Sequence, residues 1–406
     1  MKILVFNVNA YSASTGRIVE GLYKHLSKEG HTVKVCYRGT LEKKIDNSDF
    51  IALCSKLGFT IAVFFARLTG LESHFSFRST YKAKRIIRNY KPDIIQLYNL
   101  HGNYINSYDL LSYIKKIGIP AVYSMVDENP YMGRCPYPVE CEKFKSECNH
   151  CPRLKEYPIS WFFDTSRFLF RKKSRIYAGF PNIIFTGPPY VCERASQSYL
   201  LRNQRVLPLD EPFNFNDYYY PRDTKELRTK LNIQDDNRVV VCASGTLPRK
   251  GGKFFMDVAR LLKDDEKIRF VFIGYDRNDW EIPTNVITIG FISDQNVLAD
   301  YMSLADAYVC TSVGDTTPSV CLGALGCGTP IIGFDYGGVV DCAPNEFGTY
   351  VPIGDLNAMA KAIKGIKKKK QVDIERIRQY ALERFSSEQI YKRQEEIYKD
   401  LIETKN

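Results

Sequence analysis

Strand-like and helix-like patterns alternate along this chain, stop once, and then alternate again. Residues 2–8, "KILVFNV", form a short apolar run with β-branched content. The following "TGRIVEGLYKHLSKEGH" places Ile18, Val19, Leu22 and Leu26 on one helical face and ends at Gly30. "TVKVCYR", "DIIQLYN", "PAVYSMV", "NIIFTG" and "RVLPL" continue the strand series, and "FRSTYKAKRIIRNYKP" and "YINSYDLLSYIKKIG" supply helices between them. The alternation stops in "LDEPFNFNDYYYPR" (209–222) and restarts with "RVVVCAS", "IRFVFIG", "NVITIG", "ADAYVCT" and "PIIGFD". Repeated strand–helix alternation is the pattern of parallel sheets covered on both faces. The fold class expected is α/β, with two doubly wound Rossmann-like domains facing a cleft. The first domain is set at 1–208, with a Cys-rich insertion at 128–160. The second is set at 209–384, and a final helical segment, 385–406, is expected to pack back on the first domain. In open parallel sheets ligands bind beyond the carboxyl ends of the strands, so two facing sheets can hold two reactants.

Charge narrows the partners. The chain carries 57 Lys and Arg against 46 Asp and Glu, a net charge of +11, which favours an anion. Zinc-finger spacing, an aromatic RNP pattern and a basic recognition helix are all absent, so nucleic acid is not expected. "MKILVFNVNA" is too short in apolar residues for a secretory leader and reads as a first strand, which points to a cytoplasmic chain. The most apolar stretch, "IALCSKLGFTIAVFFARLTGL" (51–71), is broken by Lys56 and Arg67 and reads as a buried helix, with a membrane-facing patch as the alternative.

Three segments carry candidate chemistry. In "GDTTPSVCLGALGCGTPIIGFDYGG" (314–338), Thr317 is a candidate N-cap and Pro318 suits a first helical position. Gly326 and Gly328 are available for a left-handed turn at the end of that helix. The helix start, around Ser319 and Val320, then offers free N–H groups to a phosphate, and Asp315 can accept hydrogen bonds from hydroxyls. That pairing suits a nucleotide sugar, although plain strand–helix–strand packing would also use these small residues. In "VVVCASGTLPRKGGKFF" (239–255), Arg249 and Lys250 follow a strand and Gly251–Gly252 open a helix, an arrangement that suits a diphosphate but lacks Walker A spacing. In "NVNAYSASTGRI" (7–18) a small-residue loop allows close backbone approach to a ligand.

The segment "RCPYPVECEKFKSECNHCP" places Cys135, Cys141, Cys148 and Cys151 within seventeen residues, spaced C-x5-C-x6-C-x2-C. In a reducing compartment this reads as a tetrahedral structural zinc site, with His150 able to replace one ligand. Two disulfides or four free thiols are the alternatives.

Together, "STGRI", "PDIIQLYNLHGNYIN", the cysteine segment, "PRKGG" and "CLGALGCGTPIIGFDYGG" resemble the GT-B glycosyltransferases of family 4, which add sugars during bacterial surface-polysaccharide assembly. The resemblance implies retaining transfer from a UDP- or GDP-linked sugar, without an obligatory catalytic metal. It implies that Arg249 and Lys250 bind the donor diphosphate, that Asp315 holds the donor sugar, and that Gly16, Ser319 and Val320 lie against the phosphates. It places Asp127 at the reacting centre and His101 near the acceptor, and related enzymes carry a similar Cys pattern. The acceptor implied is a glycan or a lipid-linked saccharide, met at the inner face of the membrane by peripheral association. The chain departs from the pattern in four places. Asp315 stands where Glu is usual, and Gly323 stands where a second acidic residue would meet the donor ribose. Val126 replaces the His of a His-Asp pair, and "LDEPFN" replaces the usual interdomain turn. These departures keep a second reading open, a catalytically silent nucleotide-sugar-binding scaffold of a polysaccharide assembly complex. A third, an epimerase on the same fold, would form product from the donor alone.

Overall fold

The computed structural model describes residues 1–40, 45–276 and 279–404. The chain divides into two units, residues 1–212 with 387–406 and residues 213–386, so the boundaries fall at Pro212/Phe213, within the segment 209–222 where the sequence pattern breaks, and at Ser386/Ser387.

The first unit holds seven strands: β1 (Lys2–Phe6), β2 (Thr32–Tyr37), β3 (Phe50–Ala52), β4 (Ile94–Leu97), β5 (Ala121–Ser124), β6 (Ile183–Gly187) and β7 (Arg205–Pro208). They form one parallel sheet in the order β3-β2-β1-β4-β5-β6-β7. The order reverses at β1, which pairs with both β2 and β4. Central strands such as β4 and β5 are buried at every position, which is why they read as unbroken apolar runs rather than alternations. The helix Ser387–Glu403 belongs to this unit and packs on the helix Ala13–Lys28. Its docking face is partly polar and hydrogen-bonded to the sheet. Gln394 donates to the Oε1 of Gln96 at 2.9 Å, and the Tyr398 hydroxyl donates to the same oxygen at 2.8 Å. Gln96 in turn donates to Ser124 at 2.9 Å. Buried polar groups satisfied in this way specify one docking register for the helix.

The second unit holds β8 (Arg238–Ala243), β9 (Ile268–Ile273), β10 (Val286–Ile289), β11 (Ala307–Cys310), β12 (Ile331–Phe334) and β13 (Gly348–Val351), again all parallel, in the order β10-β9-β8-β11-β12-β13. Its order reverses between β8 and β11. Phe215 and Tyr219, from the segment where the pattern breaks, are buried in its core.

The stretch 51–71 differs from its expected burial. Phe50–Ala52 is the edge strand β3, and the helix that follows, Lys56–Thr69, buries only Ala62 and Ala66. Leu57, Ile61, Phe64 and Phe65 face outward, Leu57 with 72% of its surface exposed. Apolar composition cannot separate a buried helix from one whose apolar face is uncovered. Among the described residues, no helix is long and apolar enough to cross a membrane.

Candidate functional site

The second unit gathers its candidate residues at the carboxyl ends of β8 and β11, the two strands between which the order reverses. After β8 the chain makes a short turn over Pro248–Lys250 and enters the helix Gly252–Leu261 through Gly251, whose φ is +71°. A Cβ at 251 would stand 1.9 Å from the carbonyl oxygen of Thr311, so only glycine allows this turn to lie against the end of β11. The backbone seals the contact: the Val313 N–H donates to the Arg249 carbonyl at 2.9 Å. This brings two side chains, 65 and 66 residues away in sequence, onto Asp315. Lys250 Nζ donates to both carboxylate oxygens, at 2.8 and 2.7 Å. One terminal nitrogen of Arg249 donates to Oδ1 at 2.8 Å, and Ser312 Oγ donates to Oδ2 at 2.6 Å. The Asp315 side chain is only 11% exposed. Burial pushes its pKa up, but Lys250 and Arg249 beside it outweigh burial and hold the carboxyl below its ordinary value.

A second loop fixes Asp315 from the other side. The Gly338 N–H donates to the Asp315 carbonyl at 3.0 Å, and a Cβ at 338 would stand 1.3 Å from the Thr316 carbonyl oxygen. Gly337 and Gly338 thus serve contact between loops. The helix that follows runs Ser319–Gly326, so Ser319 and Val320 form its first turn as expected, but its cap differs. Pro318, in an extended conformation, is the N-cap, and the buried Thr317 hydroxyl has no hydrogen-bond partner. Pro318 itself keeps an extended ψ of 108°, so the helix begins one residue later and the cap position falls on Pro318 rather than Thr317. At the other end Gly328 takes the left-handed conformation, with φ +70°, whereas Gly326 is the last helical residue. Gly323 faces inward. A Cβ there would meet the Tyr219 ring at 2.8 Å and Met302 Sδ at 2.9 Å, so the space for a side chain at 323 is already filled. A separate cavity of about 710 Å3 in this unit is lined by Ala307, Pro330 and Gly348, at the opposite ends of the strands, and lies away from the Asp315 cluster.

In the first unit, His101 and Asp127 follow β4 and β5 and meet directly. His101 Nε2 lies 2.7 Å from Asp127 Oδ2, and His101 Nδ1 lies 2.9 Å from the Tyr157 hydroxyl. Asp127 is buried and also accepts from the Asn129 N–H at 2.9 Å. Burial opposes a charge on His101, but the field and hydrogen bond of Asp127, helped by Glu72, raise its pKa above the ordinary histidine value. Tyr157 carried no sequence signal, because a lone tyrosine in a loop shows no period. Val126, next to Asp127, packs against the core. Gly16 lies in the first turn of the helix Ala13–Lys28, where a Cβ would press on the Tyr11 backbone at 3.0 Å.

Cys135, Cys141, Cys148 and Cys151 line one cavity of about 20 Å3, and His150 does not line it. All four are free thiols. Among the described residues, no group of three or more His, Cys, Asp or Glu side chains stands close enough together to hold a metal ion.

Residues 237–368 match the family described as glycosyl transferases group 1. Among curated proteins, the chain is 25% identical over 205 residues to N-acetyl-alpha-D-glucosaminyl L-malate synthase of Bacillus anthracis, covering 47% of this chain and 53% of that protein. It is 23% identical over 284 residues to the putative colanic acid biosynthesis glycosyl transferase WcaC of Escherichia coli K12, covering 67% of this chain and 66% of that one. The chain therefore spans between about half and two thirds of the length of these relatives. Its fold is similar to that of sucrose-phosphate synthase from Thermosynechococcus elongatus, with TM-score 0.69 and 17% identity over 99% of both chains. It is also similar to Anabaena Alr3699/HepE solved with UDP-glucose, with TM-score 0.64 and 15% identity over 98% of this chain and 100% of that one.

Proposed function

We propose that this chain, a GT-B glycosyltransferase of the group 1 family, transfers a sugar with retention from a nucleotide-sugar donor to a glycan or lipid-linked acceptor in surface-polysaccharide synthesis. The observation that carries this reading is the Asp315 cluster: a buried carboxylate holding two cations at the carboxyl edge of a parallel sheet, one turn from a helix N-terminus. An arriving diphosphate draws Arg249 and Lys250 away from Asp315, because phosphate oxygens offer the same cations more charge. Asp315 is then left to accept hydrogen bonds from the sugar. The bond from the anomeric carbon to the phosphate oxygen breaks, the bond to the acceptor oxygen forms on the same face, and the acceptor proton passes to the leaving phosphate. Arg249, Lys250 and the helix start stabilise the charge that develops on that phosphate. His101 and Asp127 take the acceptor-side role, with Asp127 fixing the orientation of the imidazole. Alr3699/HepE, solved with UDP-glucose, makes UDP-sugars the first donors to test.

The acceptor side is read as a membrane surface. In the first unit Phe64 packs edge-on against Trp161, with ring centroids 5.7 Å apart, and Phe65 packs against Phe75 at 5.6 Å. Leu57, Phe77 and Phe162 are exposed around them. The helices Lys56–Thr69, Phe77–Tyr90 and Ser166–Tyr177 carry Lys and Arg but no Asp or Glu. Uncovered aromatics with basic neighbours suit peripheral binding to an anionic leaflet, on the cytoplasmic side.

The silent-scaffold reading is favoured by Gly323, whose side-chain space Tyr219 and Met302 occupy, leaving no second carboxylate at that position. Product analysis separates the two. Incubation with donor and an acceptor library, read by the anomeric proton coupling of the product, gives a retained configuration for a transferase. Donor binding without any product supports the scaffold. Product from donor alone points to an epimerase.

A further inference from the structure

The cysteine segment gathers four thiols around one small cavity. Its cavity of about 20 Å3 is large enough for one water-sized occupant and is lined by Cys135, Cys141, Cys148 and Cys151. Two backbone N–H groups already point at the sulfurs: Gly133 donates to Cys148 Sγ at 3.3 Å, and the Arg153 N–H bonds to Cys151. Gly133 is required for this approach, since a Cβ there would meet the Cys148 Cβ at 2.9 Å and the Ser166 carbonyl oxygen at 2.7 Å.

Two buried cations stand beside the same cavity. Arg134, 3% exposed, lines it and makes one hydrogen bond, from a terminal nitrogen to the Pro158 carbonyl at 2.5 Å. Its Nε and other terminal nitrogen are buried without a partner. Lys173, 5% exposed, donates only to neutral oxygens, the Asn129 carbonyl at 2.5 Å, the Asn129 side chain at 3.2 Å and the Met132 carbonyl at 2.9 Å, and lies within electrostatic reach of the Glu72 and Asp127 carboxylates as well as of Cys148 and Cys135. Among the described residues, neither cation has a carboxylate in ion-pair contact. Asp164, whose charge reaches Arg134, is committed to the N–H groups of Cys151 and Ser166. Unpaired buried cations are costly. Four neutral thiols give the two bare nitrogens of Arg134 nothing to pair with.

We infer that Cys135, Cys141, Cys148 and Cys151 close on a single zinc ion as a structural tetrathiolate site, and that Arg134 and Lys173 are its buried counter-cations. Binding of one Zn2+ releases four thiol protons and leaves a centre of net charge −2, which the unpaired guanidinium nitrogens and the ammonium face. The closure draws the four sulfurs in around the cavity they already share. The ion ties together the loops on either side of Arg134, beside the core residues Met132 and Phe144. This assignment is independent of the transfer reaction, since none of these residues belongs to the Asp315 cluster or the His101–Asp127 pair.

The test uses the full chain purified without chelator. Elemental analysis is expected to find about one zinc per chain, and X-ray absorption to find only sulfur ligands, at about 2.3 Å. Cobalt exchanged into the same protein is expected to show a sulfur-to-cobalt charge-transfer band. Cys148→Ser is expected to lose the metal. Because that variant can also misfold, Arg134→Met, with all four ligands intact, gives a second reading: its zinc affinity is expected to fall at least about tenfold in competition with a chelator. Folded chain that takes up neither zinc nor cobalt overturns the assignment. So does a zinc with nitrogen or oxygen ligands, an iron–sulfur spectrum, a mass showing the four cysteines as disulfides, or unchanged affinity in Arg134→Met.

Discussion

Asp315→Asn separates the two roles assigned to one carboxylate. In wild type, Asp315 accepts four short hydrogen bonds, two from Lys250 and one each from Arg249 and Ser312. It therefore competes with a diphosphate for both cations before the donor arrives. Asparagine keeps the shape and removes the charge. The free nucleoside diphosphate is then expected to bind as tightly as to wild type or more tightly, because Arg249 and Lys250 are released to it. The nucleotide sugar is expected to lose its advantage over the diphosphate, since its hydroxyls lose a charged acceptor. A hydrogen bond to a charged group contributes about 1.5–3 kcal/mol, so the affinity ratio of nucleotide sugar to diphosphate should fall roughly 10- to 150-fold. Calorimetric titration of both ligands against both proteins measures that ratio, with thermal unfolding as the check that the variant is folded. An equal loss of affinity for both ligands in a folded variant refutes the reasoning, because it would make Asp315 only a strut for the loop.

Further outcomes follow from the geometry. Asp127→Asn removes the charge that raises the His101 pKa while burial remains, so the titration midpoint of the His101 ring by NMR should drop below the ordinary value near 6.5. In wild type the stability contributed by that pair is complete below the ordinary histidine pKa and is lost as pH rises through the raised folded value; denaturant unfolding followed from about pH 6 to 8 should show this loss, and Asp127→Asn should abolish it. Gly323→Glu should not restore a ribose contact; it forces Tyr219 and Met302 apart and should cost at least about 1–3 kcal/mol, read as a lowered unfolding midpoint without a gain in donor affinity. Gly251→Ala combines a left-handed conformation with a clash against the Thr311 carbonyl oxygen and should cost about 2–5 kcal/mol while weakening donor binding. Phe64→Glu should reduce co-sedimentation with anionic vesicles by about tenfold, the value of one aromatic side chain withdrawn from an apolar environment.

The parallel strands were legible because burial on both faces writes them as continuous apolar runs, as in β4 and β5. The helix Lys56–Thr69 was misread because its apolar content fits either a core or an uncovered face. Its aromatic partners, Trp161 and Phe75, lie in loops where no period marks them. Arg249, Lys250 and Asp315 were recognisable as residue types suited to a donor. Their convergence was not, because the ion pairs span 65 and 66 residues and depend on Gly251 pressing against β11. The same limit hid the inward direction of Gly323, which is set by Tyr219 from another part of the chain. Local pattern carries periodicity and residue chemistry, whereas side-chain direction comes from contacts distant in sequence.

Calorimetric titration of the full chain with a panel of UDP-, GDP- and TDP-sugars, repeated with Lys250→Ala, tests most directly whether the Asp315 cluster is a nucleotide-sugar site. The account predicts that wild type binds one donor and that the folded Lys250→Ala variant binds it much more weakly. Folded wild-type protein that binds none of the panel, or binding that Lys250→Ala leaves unchanged, would contradict it.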